Sequence, residues 1–551
     1  MMDSSNKTLY AMVFLGFLLV YILPIGFRPM IVPDETRYAE IPREMIATGD
    51  WIVPRLNGLR YFEKPVMGYW INGLAMLVFG ENSFAVRFPS ALAAGLSALM
   101  VWLLLRRFGS GPTHGIVTVL VFLTCFEVVG TGVYSTLDGM LAMFITMAMV
   151  VFYCASESPK GSWKERGLLA LFGICCGMAF LTKGFLAFAV PVVTIVPYMI
   201  WCGRWKDLFR MAGIPIAAAL LVALPWAIAV HLEEPDFWNY FFWEEHVRRF
   251  MAEDAQHKAP FWTYFLAFPV AALPWSPMIP ASVLGMNRSQ MRTPLFRFAL
   301  CWFVFPLLFF SAASGKLITY ILPCFPPLAI LLTHGLISYF ERGTRKAFGA
   351  GVIALILFFV AILVGFILIQ VTGIIGFVPY GERWKTIALA VVMVALIGFL
   401  IKSLKKELFA EKIFLISLGS LLLLAVVQFA LPDKIIEHKA PGEFLARNNS
   451  RVQPDTILVS LNDYARAICW YYKRSDVYLL QNGGELTYGL SYPEARHRRL
   501  NHNQFAGMVS RNKGKVVLIG KYKKYQSWKA YLPPPIYEDH SGPGGFVFAQ
   551  Y

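Results

Sequence analysis

The sequence predicts a polytopic α-helical membrane protein that ends in a soluble α/β domain. First, 57% of its 551 residues are hydrophobic, whereas soluble domains average about 45–50%. Second, apolar runs of about 18 residues or more recur along most of the chain, which is typical of membrane helices. Third, the pattern changes after Pro432, where short β-rich runs alternate with helical patterns.

The apolar runs predict about thirteen membrane helices, with boundaries set by where each run meets polar residues. These helices are expected at residues 9–27, 86–105, 113–132, 136–155, 167–182, 185–201, 211–230, 262–284, 296–313, 317–339, 348–371, 386–402 and 412–431. A shorter apolar run at 66–80 follows Pro65 and contains Asn72. We expect a re-entrant or interfacial helix there.

Basic residues predict the orientation of these helices. The chain has a net charge of +16, and most of the excess lies in short loops on one side, as the positive-inside rule requires for the cytoplasm. The opposite side, which is the periplasm in a bacterium, receives a first loop at 28–85 and a second at 232–260. We therefore expect an inner-membrane protein with a transmembrane domain at 1–431 and a periplasmic α/β domain at 432–551.

Several classes of function are excluded or unsupported. The chain has no Gly-rich phosphate loop and no nucleic-acid-binding signature, so we expect no nucleic acid partner. Seven of the eight cysteines lie in or beside apolar runs, and Cys469 alone lies in the tail. This spacing gives no zinc motif and no disulfide within the tail. The run at 9–27 lacks a small-residue cleavage site, so we interpret it as a signal anchor.

The densest charge beside the membrane lies between Pro33 and Pro65. Its ionisable residues are Asp34, Glu35, Arg37, Glu40, Arg43, Glu44, Asp50, Arg55, Arg60, Glu63 and Lys64. A solvated loop is one explanation. The interspersed aromatic and apolar residues instead suit short helices in the membrane interface. Because charged groups beside a bilayer face water, each other or a charged substrate, we predict a functional site here.

Three further candidates lie at helix ends on the same predicted face. Asp138 begins a helix, where the helix dipole alone would favour a carboxylate. Lys183 lies where two helices meet, and a lysine extending to the interface is an equally simple explanation. Tyr320 follows Ser314-Gly-Lys316 and either donates a hydrogen bond to a phosphate or anchors at the headgroups. Each alternative stays open for the residue taken alone.

The second loop, 232–260, holds Glu244-Glu245-His246-Val247-Arg248. A solvated amphipathic helix would explain this charge pattern. Alternatively, Glu63 and His246, with a third ligand or water, would bind a divalent metal ion such as Zn²⁺. No other cofactor is indicated.

Together, these residues suggest one kind of chemistry. The cations Arg37, Lys64, Lys183 and Arg248, with Tyr320, suit a lipid-linked phosphate, because charge-assisted contacts to phosphate are strong. The carboxylates of Asp34, Glu63 and Asp138 suit an acceptor proton, sugar hydroxyls or an amine. An enzyme that breaks a sugar–phosphate bond at the membrane surface needs both kinds of group.

The same residues resemble a known family. The matching segments are Asp34-Glu-Thr-Arg-Tyr-Ala-Glu-Ile, Gly49-Asp-Trp, Pro54-Arg-Leu-Asn-Gly, Tyr61-Phe-Glu-Lys-Pro, Arg87-Phe-Pro-Ser, Leu181-Thr-Lys-Gly, Glu245-His and Thr319-Tyr-Ile-Leu-Pro. They resemble the bacterial aminoarabinose lipid A transferases, which are GT-C glycosyltransferases of the protein O-mannosyltransferase superfamily. One departure is Val66, where that family usually has a second proline.

The resemblance implies a GT-C fold and a pentosyl transfer at the outer face of the inner membrane. The donor would be 4-amino-4-deoxy-L-arabinose on undecaprenyl phosphate, and the acceptor a phosphate of lipid A. This modification of lipopolysaccharide would make the bacterium resistant to polymyxin and other cationic peptides. The family's proposed catalytic carboxylate matches Asp34, and its lysine near the donor phosphate matches Lys64.

We expect a single displacement with inversion at the anomeric carbon, by a monomer embedded among membrane lipids. Three alternatives stay open. A related GT-C transferase would move another polyprenyl-linked sugar to lipid or protein. A flippase or transporter would place charges deep in its helices and show mobile repeats. A structural or sensory protein would leave the charge cluster at residues 33–65 without a purpose.

Overall fold

The computed structural model describes residues 4–109, 111–248, 258–372, 382–461, 464–542 and 544–551. Within these ranges the chain forms two compact units. The helical unit comprises the described residues of 4–25, 87–372 and 382–430. The mixed unit comprises Gly26–Val86 together with the described residues of Leu431–Tyr551. The first loop and the tail thus belong to one unit, while the predicted domain boundaries stay predictions.

The helical unit consists of long apolar helices joined by short connections. Its helices are Ser4–Phe17, Ser83–Phe108 (which begins in the mixed unit), Pro112–Thr124, Phe126–Gly132, Leu137–Ser156, Trp163–Lys183, Leu186–Trp201, Trp205–Glu233, Asn239–Arg248, Thr263–Ala271, Ile279–Gly285, Arg288–Met291, Pro294–Ala312, Phe325–Glu341, Lys346–Thr372, Arg383–Lys405 and Phe409–Phe429. Short 3₁₀ turns occur at Pro24–Gly26, Ser276–Met278 and Ile318–Cys324.

Nine described helices are long and apolar enough to cross a bilayer, or eleven if each of two bent pairs is one span. All thirteen predicted runs have a helical counterpart. The two runs beyond eleven are the shorter apolar helices Tyr10–Gly26 and Leu186–Trp201. The run at 66–80 forms the helix Met67–Phe79, which is shorter than the roughly 20 residues that a span needs.

The two bent pairs meet at their breaks. One bends by 67° after Thr124, and the other bends by 99° around Leu273. The backbone N–H of Phe126 donates to the carbonyl of Leu273 over 2.9 Å. The Trp275 indole N–H donates to the Thr124 hydroxyl over 2.8 Å. Because backbone groups freed inside a membrane need internal partners, each break helps to stabilise the other.

Acidic partners balance part of the positive charge of two predicted cytoplasmic loops. Arg210 makes a two-pronged contact with Glu165 at 2.6 and 2.9 Å. Asp207 accepts hydrogen bonds from Lys160, Arg204 and Arg210. These pairs link the connection after Ser156 to the connection after Trp201, and so tie together the ends of consecutive helices.

The first part of the mixed unit contains two helices and a small β-ribbon. These elements are the helix Asp34–Thr48, β1 (Arg55–Leu56), β2 (Leu59–Arg60) and the helix Met67–Phe79. Asn57 and Gly58 connect β1 and β2 with φ angles of 59° and 67°. Positive φ at both central residues is the geometry that Asn-Gly favours in a tight hairpin.

The tail confirms the predicted α/β domain. In its described part, the strands are β3 (Ile457–Leu461), β4 (Tyr478–Leu480), β5 (Arg499–Leu500), β6 (Val516–Lys521), β7 (Tyr537–Asp539) and β8 (Phe546–Gln550). The sheet order is β5-β4-β3-β6-β8-β7, with β8 antiparallel to both its neighbours and the other pairs parallel. The tail helices are Asp433–Lys439, Gly442–Arg447, Ala465–Tyr472, His502–Arg511 and Tyr522–Trp528.

The hairpin tip at Asn57 packs against the tail within the mixed unit. The Asn57 amide donates to the carbonyl of Val477 and accepts from its N–H, at 2.8 and 2.9 Å. Arg498 donates to the Asn57 backbone carbonyl and to its side-chain oxygen. The Cys469 thiol also contacts that oxygen at 3.2 Å. The first loop is therefore held by side chains that the sequence places more than 400 residues away.

Candidate functional site

Two neighbouring carboxylates at the N-terminus of the helix Asp34–Thr48 differ in their exposure to solvent. Glu35 is fully buried and accepts two hydrogen bonds from Arg28, at 2.8 and 3.1 Å. It also accepts one from the N–H of Ile31. The Asp34 side chain remains 37% exposed. Of the two acids in this motif, Asp34 is the one available to a substrate, because Glu35 is engaged in holding the start of the helix.

Asp34 begins a chain of alternating charges that runs into the tail. The Arg37 guanidinium lies 3.4 Å from the Asp34 carboxylate. Its other terminal nitrogen donates to Glu485 over 2.6 Å. The second oxygen of Glu485 accepts from Arg466 over 2.9 Å and from the Tyr61 hydroxyl over 3.4 Å. The order is therefore Asp34, Arg37, Glu485, Arg466, with each charge beside an opposite one.

These contacts stabilise the charged forms in the middle of the chain. Burial alone would raise the pKa of Glu485. The positive charges of Arg37 and Arg466 lower this pKa by more than burial raises it, so it lies below the usual value. Burial alone would lower the pKa of Arg37, but nearby tyrosines and carboxylates raise it well above the usual value. Both groups therefore carry full charge at neutral pH.

The rest of the same helix is fixed by one buried ion pair and by a hydrogen bond from the backbone to a buried carboxylate. Arg43 makes two hydrogen bonds to Glu40, at 2.6 and 2.7 Å. Glu44 accepts from the backbone N–H of Gly58 over 2.8 Å. Burial raises the pKa of both glutamates. These contacts set the position of the helix that carries Asp34 and Arg37.

Glu63 and Lys64 lie in the connection before the helix Met67–Phe79. Both side chains are half-buried, and the Lys64 ammonium donates to the carbonyl of Glu63 over 2.6 Å. The side chains of His246 and Arg248 lie outside the described part of the structure. Among the side chains that are described, no three His, Cys, Asp or Glu residues cluster to hold a metal ion. The metal site at Glu63 and His246, and the role of Arg248, stay predictions.

A second polar cluster lies in the helical unit and contains Asp138, Lys183, Thr319 and Tyr320. Lys183 ends the helix Trp163–Lys183 and donates to one oxygen of Asp138. The other oxygen of Asp138 accepts from the Thr319 hydroxyl over 3.0 Å. The Lys183 ammonium also lies 4.5 Å from the centre of the Tyr320 ring. Side chains from three separate elements thus meet at one point.

The hydrogen-bond partners of Asp138 include side chains of other elements. A helix cap would accept from the first backbone N–H groups of its own helix. The carboxylate instead contacts Lys183 and Thr319, which belong to other elements. Its side chain is 13% exposed and that of Lys183 is 10% exposed. This ion pair is therefore largely removed from water, where charge–charge contacts are stronger than at an open surface.

Lys316 shortly precedes Thr319 of the second cluster in the sequence, and hydrogen bonds hold its side chain in place. Its ammonium donates to the backbone carbonyls of Ala259 and Ala313. The Tyr264 hydroxyl donates to the carbonyl of Leu317 over 2.9 Å. These bonds fix the segment that leads into Thr319 and Tyr320.

Sequence reasoning missed two residues of the first cluster and the role of one residue of the second. Glu485 lies in a Gly-rich tail loop, and Arg466 lies in a short amphipathic helix, so both would be interpreted as ordinary surface charges. Thr319 is part of a matching motif, but a threonine in a polar turn gives no local sign of a carboxylate partner. The described residues thus form two clusters of cations and carboxylates, with Arg37 and Arg466 on Glu485 in the first and Lys183 on Asp138 in the second.

Two models of known protein families match parts of the chain. The family model for dolichyl-phosphate-mannose-protein mannosyltransferase matches residues 7–241. The model for the C-terminal domain of the arabinosyl transferase ArnT matches residues 436–548.

Two relatives match nearly the whole chain. A protein of Aeromonas salmonicida (strain A449) is 42% identical over 530 residues, which cover 94% of this chain and 95% of that protein. One of Shewanella sediminis (strain HAW-EB3) is 41% identical and covers 94% of each chain. Both are named undecaprenyl phosphate-α-4-amino-4-deoxy-L-arabinose arabinosyl transferase. The chain belongs to this arabinosyl transferase family.

Solved structures confirm the fold expected for the arabinosyl transferase family. The crystal structure of ArnT from Cupriavidus metallidurans bound to undecaprenyl phosphate matches with a TM-score of 0.83 at 22% identity. The match covers 99% of this chain and 98% of that one. An archaeal oligosaccharyltransferase from Archaeoglobus fulgidus is more distant, with a TM-score of 0.53 at 12% identity, covering 100% of this chain and 74% of that one.

Membership of the arabinosyl transferase family confirms two predictions from the sequence. The chain is a multi-span membrane protein of GT-C type with a C-terminal α/β domain. It is an enzyme of the glycosyltransferase class rather than a transporter or a structural protein. The resemblance, which the motifs show between Asp34 and Pro323, therefore extends into the C-terminal domain.

Proposed function

We propose that this protein transfers 4-amino-4-deoxy-L-arabinose from undecaprenyl phosphate to a phosphate of lipid A. We place the reaction at the periplasmic face of the bacterial inner membrane. The observation that supports this most directly is the similarity, over 94% of the chain, to relatives named for transfer of this sugar from this carrier. The two clusters of cations and carboxylates suit a reaction between phosphate groups.

The bond changes balance without an added proton. An oxygen of the lipid A phosphate attacks the anomeric carbon, and the bond from that carbon to the undecaprenyl phosphate oxygen breaks. The leaving phosphate takes the electron pair and gains one negative charge. The acceptor phosphate loses one negative charge as it becomes a diester. The enzyme therefore needs to stabilise moving negative charge more than to remove a proton.

We assign the departing phosphate to the cations. Lys64, Lys183, Arg37 and Arg248 would bind it together with the Tyr320 hydroxyl. Fixed donors aimed at developing charge are often the largest single contribution to catalysis. Asp138 would hold the Lys183 ammonium in position, as its contact in the second cluster suggests.

Asp34 and Glu63 would act on the sugar or the acceptor. A carboxylate is the natural partner for the ammonium group of aminoarabinose and for sugar hydroxyls. The accessibility of Asp34 supports this assignment. We expect one chain to be active as a monomer, which light scattering of the purified enzyme would test.

Reconstitution tests the proposal. Purified protein in detergent is mixed with lipid A and undecaprenyl phosphate-aminoarabinose, and the mass of lipid A is followed. A gain of one aminoarabinose supports the proposal. Consumption of the donor without that gain would indicate another acceptor, and an unchanged donor would indicate another sugar.

A further inference from the structure

We propose that Glu485 in the tail is a positioning residue that limits Arg37 to a single contact with Asp34 and so keeps the rest of the Asp34 carboxylate open to substrate. This inference rests on the proposed function. It gives the tail an indirect part in the reaction, through one side chain that positions Arg37.

The geometry shows a competition for one guanidinium. Arg37 approaches Asp34 with one terminal nitrogen at 3.4 Å and donates to Glu485 with the other at 2.6 Å. An arginine that met Asp34 alone would turn both nitrogens onto that carboxylate, since the two-pronged arrangement is the stronger one. Glu485 occupies one of the two nitrogens and prevents this closure.

Glu485 is itself fixed from the other side. Arg466 is 4% exposed and donates to the second oxygen of Glu485 over 2.9 Å. The Tyr61 hydroxyl lies 3.4 Å from the same oxygen. Each carboxylate oxygen therefore has its own cation, and Glu485 cannot follow Arg37 toward Asp34 without losing Arg466.

The exposure of these groups suits a substrate-binding site better than an ion pair that only stabilises the fold. The Arg37 side chain is 11% exposed, and its inner nitrogen, Nε, has no hydrogen-bond partner. Asp34 is the most exposed member, at 37%. The chain thus leads from a buried arginine at Arg466 to an open carboxylate at Asp34.

The mixed unit also contains a matched control. Glu494 in the tail pairs with Arg60 of the first loop, so it joins the same two segments through the same two residue types. Its side chain is 59% exposed, compared with 26% for Glu485. Loss of the Glu494 pair would remove a contact between loop and tail but leave Arg37 in place.

Activity measurements on the full-length enzyme test the inference. With lipid A and undecaprenyl phosphate-aminoarabinose as substrates, we expect Glu485→Gln to lower kcat about 10-fold or more, as loss of an orienting partner commonly does. Glu485→Asp should recover part of this loss, and Glu494→Gln should match wild type. Equal losses in Glu485→Gln and Glu494→Gln would overturn the inference, since they would indicate a general loosening of the loop.

A structure of Glu485→Gln tests the same inference without relying on activity. Cryo-electron microscopy of the variant should show both terminal nitrogens of Arg37 within about 3 Å of Asp34. An unmoved Arg37 would overturn the inference even if activity fell. If the wild type transferred no aminoarabinose, the proposed function would fail, while the position of Arg37 in the variant would still decide the role of Glu485.

Discussion

Lys183 and Asp138 form an ion pair that joins the last residue of one membrane helix to the first turn of another. The carboxylate fixes the ammonium beside the Tyr320 ring. A cation held in this way needs no rearrangement when charge develops on a leaving group, which is the condition for strong electrostatic catalysis.

Lys183→Ala should therefore lower kcat by about 100-fold or more, a typical cost of losing one preorganised donor. Lys160→Ala is the control, because Lys160 also pairs with an aspartate, Asp207, but is 65% exposed. We expect the control to keep wild-type activity. Transfer rates measured by lipid A mass decide the outcome, and normal activity in Lys183→Ala would remove Lys183 from the site.

Thr319→Val should reduce activity less than Lys183→Ala does. The substitution keeps the shape of the side chain but removes the hydroxyl that donates to Asp138 over 3.0 Å. A hydrogen bond to a charged group is worth about 1.5–3 kcal/mol. Because Lys183 still holds Asp138 in this variant, we expect the lower end of that range, which corresponds to roughly a 10-fold loss. Thr319→Ser retains the hydroxyl and should retain most activity. If Thr319→Ser lost as much as Thr319→Val, the methyl group rather than the hydroxyl would be responsible.

Asp34→Asn should abolish transfer while leaving the protein folded. The change removes the negative charge but keeps the size of an exposed side chain, so its effect on stability should be small. Asp455→Asn, which alters an exposed pair with Lys515, controls for the same chemical change elsewhere. Full activity in Asp34→Asn, at an unchanged melting temperature, would rule out a chemical role for Asp34.

The membrane helices could be predicted from sequence because their signal is local. Each apolar run reports its own burial in lipid or protein, and no knowledge of distant residues is needed. The α/β character of the tail is predictable for the same reason. Its β-rich runs are local signals, and the run at Ile457–Leu461 forms β3 of the sheet. The number of helices is harder to predict than their positions. A helix can end within a continuous apolar run, as the helix Pro112–Thr124 does at Cys125.

The candidate site was only partly predictable because its contacts are not local. Asp34 and Arg37 were visible as a charged motif within one helix. Their partner Glu485 lies 448 positions beyond Arg37, and nothing in its own loop distinguishes it from a solvated acid. The partners of Asp138 likewise required the packing of three elements. Charge density located the region, whereas the pairing depended on the fold.

The pH dependence of stability should include a contribution from Glu485. Its pKa lies below the usual 4.5, since Arg37 and Arg466 outweigh the effect of burial. A carboxylate of this kind stabilises the folded state above its unfolded pKa, and that stabilisation is lost as the pH falls through the folded value. Below pH 4.5, the melting temperature of the wild type should therefore fall more steeply than that of Glu485→Gln. Thermal scans between pH 7 and the acid limit of solubility would show this, and parallel curves would contradict it.

Gly58→Ala should destabilise the mixed unit more than Gly49→Ala does. Both glycines have positive φ, at 67° and 74°, so an alanine is strained at either position. Only at Gly58 would the new Cβ atom also lie 2.7 Å from a carbonyl oxygen, that of Ser475 in the tail, whereas at Gly49 nothing lies within 4 Å. We expect a loss of about 1 kcal/mol for Gly49→Ala and a larger loss for Gly58→Ala, because the hairpin tip must move away from the tail. Melting temperatures of the two variants in the same detergent compare them directly. Equal values would mean that strain alone sets the cost, and that the contact between the hairpin and the tail contributes little to stability.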